Sequence, residues 1–221
     1  MTLVKLSKGH NQKRFYFLDY IMIITAILSI SLLVYGICFY KEKRPDPKTL
    51  YLTTTEGIVV RQCNFPVLYS INEKVPLDLT DIIIDSFEYW NNFARSDIFK
   101  FMGILDFTND GIDESPIIVV EIEENNDAEH ANAIAYTSIK WKSDGCIKMS
   151  AGINIRKGAL KDCSIDGLKS SLRHEVGHLL GFKHSKFKSD LMYNNINPNK
   201  LKDLSEWELK AFKLYYYNNI E

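Results

Sequence analysis

The stretch from His174 to His184, HEVGHLLGFKH, restricts what this chain can fold into more than any other. His174 and His178 stand four residues apart, so on a helix both imidazoles leave the same face. Leu172, Val176, Leu179 and Leu180 supply apolar surface that holds such a helix in a core. Gly181 permits the positive φ that ends a helix and turns the chain, which returns His184 towards the other two histidines. Three neutral imidazoles fill three positions around zinc and leave the fourth for water. Glu175, beside the first histidine, is placed to act as base for that water. Three of the chain's five histidines, a glutamate and a glycine therefore fall in one register. The segment predicts a long helix from about Asp166, ended by Gly181, that carries one zinc ion.

The pattern His174-Glu175-x-x-His178-x-x-Gly181-x-x-His184, followed by Met192, resembles that of the metzincin zinc endopeptidases. Within them it is most similar to the matrixin group: Ser185 follows His184 directly, and Leu191-Met192-Tyr193 places its Met eight residues beyond His184. The resemblance implies peptide-bond hydrolysis, with His174, His178 and His184 on zinc, Glu175 as the acid/base and Met192 as a Met-turn beneath the ion. Upstream, Glu88-Tyr89-Trp90 resembles the first helix of matrixin catalytic domains, and Leu204-Ser205 fits the start of the terminal helix. Ala133-Ile134-Ala135-Tyr136 resembles the edge strand that pairs with an extended substrate.

The chain also departs from that family. Only His130 stands in the region where many matrixins bind a second, structural zinc, and Ile134 aligns with one of those histidines, so a second zinc is not expected. Asp106, Asp110, Asp113, Glu121, Glu123, Glu124 and Asp127 offer oxygens for calcium, but they read as a solvated acidic face and Ca2+ is unsupported. Cys63 lies in RQCNFP, not in an inhibitory switch sequence, and Tyr193 is not assigned as a ligand.

From Tyr20 to Tyr40 the chain carries no charged residue. At 1.5 Å per residue such a helix is about 31 Å long, enough to cross a hydrocarbon core. A signal peptide has a shorter apolar run ending in small residues, whereas this one ends at Lys41-Glu42-Lys43-Arg44-Pro45. An uncleaved anchor is therefore expected. Basic residues flank both ends, so charge alone does not orient it; a short N-terminal tail with the main domain exported is the preferred arrangement. A net charge of -1 gives no basic surplus for nucleic acid.

The resulting organisation is a basic tail (1–19), a transmembrane helix (20–40), a Pro- and Thr-containing tether (41–56) and one catalytic domain (57–221). Periodicity predicts strands at 58–62 and 66–70, a helix over Leu79–Phe93 capped by Asp78 or Thr80, and strands at 99–107, 116–122, 133–139 and 146–150. A last helix is expected from Ser205, with Glu208 completing a capping box. Strands first and helices last give an α+β domain with a mixed twisted sheet and about three helices. Outside the anchor, Cys63, Cys146 and Cys163 allow one disulfide whose partners spacing does not identify. The expected function is a membrane-anchored zinc endopeptidase acting on protein or peptide; the alternative is a tethered zinc module that binds without hydrolysing.

Overall fold

The computed structural model describes residues 22–32, 43–106, 117–123, 133–148 and 151–217. It divides into two compact units, Met1–Arg44 and Pro45–Glu221. In the first, residues 22–32 are helical (α1) with exposed side chains. Among the described residues no helix is long and apolar enough to cross a membrane. The tail at 1–19 and the two ends of the apolar run lie outside them.

The second unit is built on a five-stranded sheet of order β2-β1-β3-β5-β4: β1 Val67–Asn72, β2 Phe99–Leu105, β3 Ile118–Glu123, β4 Ala135–Ser138 and β5 Gly152–Arg156. β1, β2, β3 and β5 run parallel, and β4 lies antiparallel on β5 at the sheet edge. The α-helices are α2 Leu77–Ala94, α3 Ile165–Leu179 and α4 Glu206–Tyr216, with 3-10 turns at Pro47–Leu50 and Lys157–Asp162. The α+β expectation with a mixed sheet and three domain helices holds.

Apolar faces meet between sheet and helices. Phe87 of α2 stacks on Tyr69 of β1 at 3.8 Å between ring centroids. Trp90, one turn on, packs against Phe182 and Phe212 and donates its indole N–H to the Arg173 carbonyl at 3.0 Å. That bond fixes α2 against α3, the helix that carries the first two histidines.

Four local readings need correction. α2 begins at Leu77 after Pro76, so Asp78 and Thr80 sit inside it and neither caps it; the start has no side-chain cap, and the Pro76 carbonyl accepts from Leu79 N–H at 3.0 Å. Residues 58–62 form no strand of the sheet but only isolated bridges, Thr53 with Val59 and Arg61 with Cys146. The strand expected at 146–150 is absent over its described part, and β5 falls at Gly152–Arg156, where alternating Ile153 and Ile155 are buried. The edge strand begins at Ala135, with Ala133 and Ile134 leading into it.

The largest difference concerns the tether. Residues 45–56 belong to the folded unit: Leu50 and Tyr51 are fully buried, and the Trp207 indole donates to the Pro45 carbonyl at 2.9 Å. The Tyr51 hydroxyl donates to the Ala211 carbonyl of α4 at 3.1 Å. Leu52 N–H donates to the Gly181 carbonyl at 2.9 Å and Lys183 N–H to the Leu50 carbonyl at 2.8 Å. Composition suggested a solvated linker, but the adjacent buried Leu50 and Tyr51 and a paired backbone make it part of the core. Cys63 and Cys146 form a disulfide across 83 residues, and Cys163 is free.

Candidate metal centre

Ser164 caps α3 by accepting from Gly167 N–H at 3.1 Å, and the helix runs to Leu179. It carries His174 and His178 on one face, with their rings 4.7 Å apart. Gly181 then adopts φ +90°, and a Cβ there would lie 2.1 Å from the Val60 carbonyl oxygen. Only glycine fits that conformation and that approach together. The turn brings the His184 ring to 5.2 Å from His174 and 4.9 Å from His178. One ligand atom from each of the three histidines lies within 4.8 Å of the others, and among the described residues no other His, Cys, Asp or Glu group forms such a set.

Hydrogen bonding fixes which nitrogens face inward. His174 Nδ1 is 2.8 Å from the Leu191 carbonyl, and His178 Nδ1 is 2.7 Å from the Phe182 carbonyl. A carbonyl only accepts, so both Nδ1 atoms carry the proton and both Nε2 atoms are bare lone pairs in the neutral rings. These two Nε2 atoms stand 3.0 Å apart. Burial lowers the pKa of all three histidines, His178 to about 4, which disfavours a shared proton as the link between them. Converging lone pairs held by carbonyl acceptors behind them are the donor set that a divalent zinc ion requires.

Met192 is fully buried. A Cβ on Gly177 would stand 2.6 Å from the Met192 sulfur, so the thioether packs directly on the α3 backbone between the two helical histidines. The Met192 peptide is held in turn by Glu208. Its carboxylate accepts from Met192 N–H at 2.7 Å, Leu191 N–H at 3.0 Å and Ser205 N–H at 2.8 Å. Because the Leu191 carbonyl accepts from His174, Glu208 orients the first histidine through one peptide unit. Burial raises the Glu208 pKa, and the N–H groups it accepts from oppose that rise. The capping box at Ser205 and Glu208 was legible in the sequence. The second duty of the same carboxylate was not, since its partners are 16 and 17 residues away.

Glu175 is buried beside the group, and its Oε2 accepts from the Thr137 hydroxyl on β4 at 2.7 Å. Burial pushes its pKa up to about 8, against the pull of hydrogen bonds from the Thr137 side chain and backbone. The structure thus brings His174, His178, His184, Glu175 and Met192 to one place, with β4 alongside. Thr137 escaped the sequence reading because nothing near it in the chain marks it. His130, Asp110, Asp113, Glu124 and Asp127 lie outside the described residues.

The matrixin family profile matches residues 79–216, which spans most of α2, all of α3 and α4, and the whole histidine segment. The chain belongs to the matrixin family. Matrixins are zinc-dependent peptidases, which agrees with the three-histidine donor set of this member. No curated protein sequence matches the chain. Among solved structures, archaemetzincin from Methanopyrus kandleri is similar with a TM-score of 0.46 at 10% identity, covering 66% of this chain and 93% of that one.

Proposed function

We propose that this matrixin is a membrane-anchored zinc endopeptidase in which His174, His178 and His184 hold the ion and Glu175 is the acid/base. The observation that carries the reading is the pair of bare Nε2 atoms 3.0 Å apart, with a buried carboxylate on the adjoining residue. Zinc bound there would polarise the scissile carbonyl and acidify a water molecule. Glu175 takes the proton of the attacking water and returns it to the amine that leaves, so no covalent intermediate with the chain is needed. Its placement suits the task, because it adjoins the first histidine and is held by the Thr137 hydroxyl. Met192 supports the ligands from below.

The edge strand offers a place for substrate. Ile134 accepts from Arg156 N–H, so even-numbered positions of β4 turn their backbone to β5 and odd ones turn it outward. An extended peptide would pair on that outer side, next to Glu175. This recognises peptide backbone and fits protein or peptide substrates.

The uncharged run from Tyr20 to Tyr40 supplies the anchor. The Cys63–Cys146 disulfide favours a domain facing an oxidising compartment, hence outside the cytosol. Cleavage of an unbiased peptide library by the purified full chain tests the function, alongside Glu175→Ala and a chelator-treated control. Glu175→Ala should keep zinc and lose at least about 100-fold in turnover. A folded, zinc-loaded wild type that cleaves nothing would instead indicate a tethered module that binds without hydrolysing.

A further inference from the structure

The Thr137 hydroxyl touches Glu175 twice, at 2.7 Å from Oε2 and 3.0 Å from the Glu175 backbone carbonyl. Its single proton is shared between these two acceptors, which holds the carboxylate near the helix backbone that bears it. The Thr137 backbone also bonds to the Glu175 carboxylate, so this one residue holds it through both its hydroxyl and its main chain. Thr137 reaches this position because side chains alternate along a strand. Its side chain shares the face of Ala135, which is buried, and β4 is one of the sheet's two edge strands.

We propose that Thr137 is the positioning residue for the general base: its hydroxyl, bonded to Oε2 of Glu175, orients the carboxylate that acts on water. This rests on the role of Glu175 proposed above. One residue then serves two surfaces. Its side chain sets the base, and its strand is the one on which an extended peptide would pair. A substrate lying on β4 is thereby registered against the carboxylate that must act on it. Binding through the strand backbone does not need the hydroxyl, whereas the chemical step does. The loss should consequently appear in kcat and not in KM.

The test compares Thr137→Val, Thr137→Ser and Glu175→Ala with wild type in the full chain, measuring kcat, KM, zinc per chain and melting temperature. Valine keeps the branched shape and suits a strand, while removing the hydroxyl donor to the buried carboxylate. Thr137→Val should lower kcat by about 10-fold to 100-fold, with KM within about twofold and zinc content unchanged. Thr137→Ser, which keeps the hydroxyl, should recover most of that rate. If valine lowers the melting temperature, Thr137→Ala removes the same hydroxyl without added bulk and takes its place in the comparison. Wild-type kcat in the hydroxyl-free variants, a serine variant as slow as valine, or a loss confined to KM or zinc content would each overturn the proposal. Failure of the underlying reading looks different. There, Glu175→Ala would cleave as fast as wild type, or wild type would not cleave at all. A silent Glu175→Ala beside a fully active Thr137→Val removes only the role of Thr137.

Discussion

Two stretches of this chain meet at Gly181, and they contrast in how their sequence relates to their place in the fold. Residues 174–193 hold the three histidines, Glu175 and Met192 on one helix and the turn that follows it. Residues 45–62 hold no metal donor set, yet they brace that turn from behind: Leu52 N–H bonds to the Gly181 carbonyl and Lys183 N–H to the Leu50 carbonyl. Val60 fills the space where any side chain at position 181 would stand. The first stretch brings the chemistry, and the second holds the third histidine's turn in place. A metal site described by its ligands alone would miss half of what sets its geometry.

The strongest way to break this comparison is to remove the bracing stretch. A chain beginning at Pro45 should fold and bind zinc, whereas one beginning at Gly57 loses Leu50 and Tyr51 from the core along with both backbone pairings to the turn. Two fully buried side chains of that size are worth on the order of 5 kcal/mol, comparable to the whole stability of a small domain. Urea denaturation and zinc per chain would measure the loss. Equal midpoints and equal zinc in the two truncated chains would return residues 45–56 to the status of a tether.

A narrower break lies at the joint itself. Gly181→Ala keeps every other residue but forces a side chain into φ +90° with its Cβ 2.1 Å from the Val60 carbonyl oxygen. The strained backbone and the displaced neighbour together should cost about 3 kcal/mol. The displacement falls between Val60 and the turn that delivers His184. Zinc affinity should therefore fall more than it does for an equally destabilising change remote from the turn. Competition with a chelator, set against the urea midpoint, separates the two effects. Affinity that falls only in step with stability would mean the turn does not depend on its neighbour.

The contrast also explains what was legible in the sequence. Metal chemistry here is local: His174 and His178 are related by a helical period and His184 by one glycine turn, so residue types and spacing sufficed. The capping box at Ser205 was legible for the same reason. What escaped depends on distant partners. Leu50 and Tyr51 look like parts of a linker because their partners, Lys183 for Leu50 and Phe182 and Ala211 for Tyr51, are more than a hundred residues on. β5 was missed because the strand was placed at 146–150, while its pairing with β3 and β4 is non-local. Thr137 and the second duty of Glu208 belong to the same class, since each acts on a group that sequence proximity does not indicate.

The smallest change sharpens the comparison by asking what kind of contact the bracing stretch uses. Tyr51 is fully buried, with its ring 4.6 Å from Phe182 and 4.7 Å from Tyr215, and its hydroxyl donates to the Ala211 carbonyl at 3.1 Å. Tyr51→Phe keeps the ring contacts and deletes one hydrogen bond. The expected cost is about 1 kcal/mol, or a melting temperature lower by roughly 2–4 °C. Zinc binding and turnover should be unchanged, because the backbone bonds from Leu52 and Lys183 that hold the turn do not involve the hydroxyl. If turnover fell while stability hardly moved, the stretch would be steering the site through that hydrogen bond to α4, and its role as a passive brace would be wrong. An unchanged rate with a slightly lower melting temperature would assign its contribution to apolar packing and backbone pairing, the two features that its composition conceals.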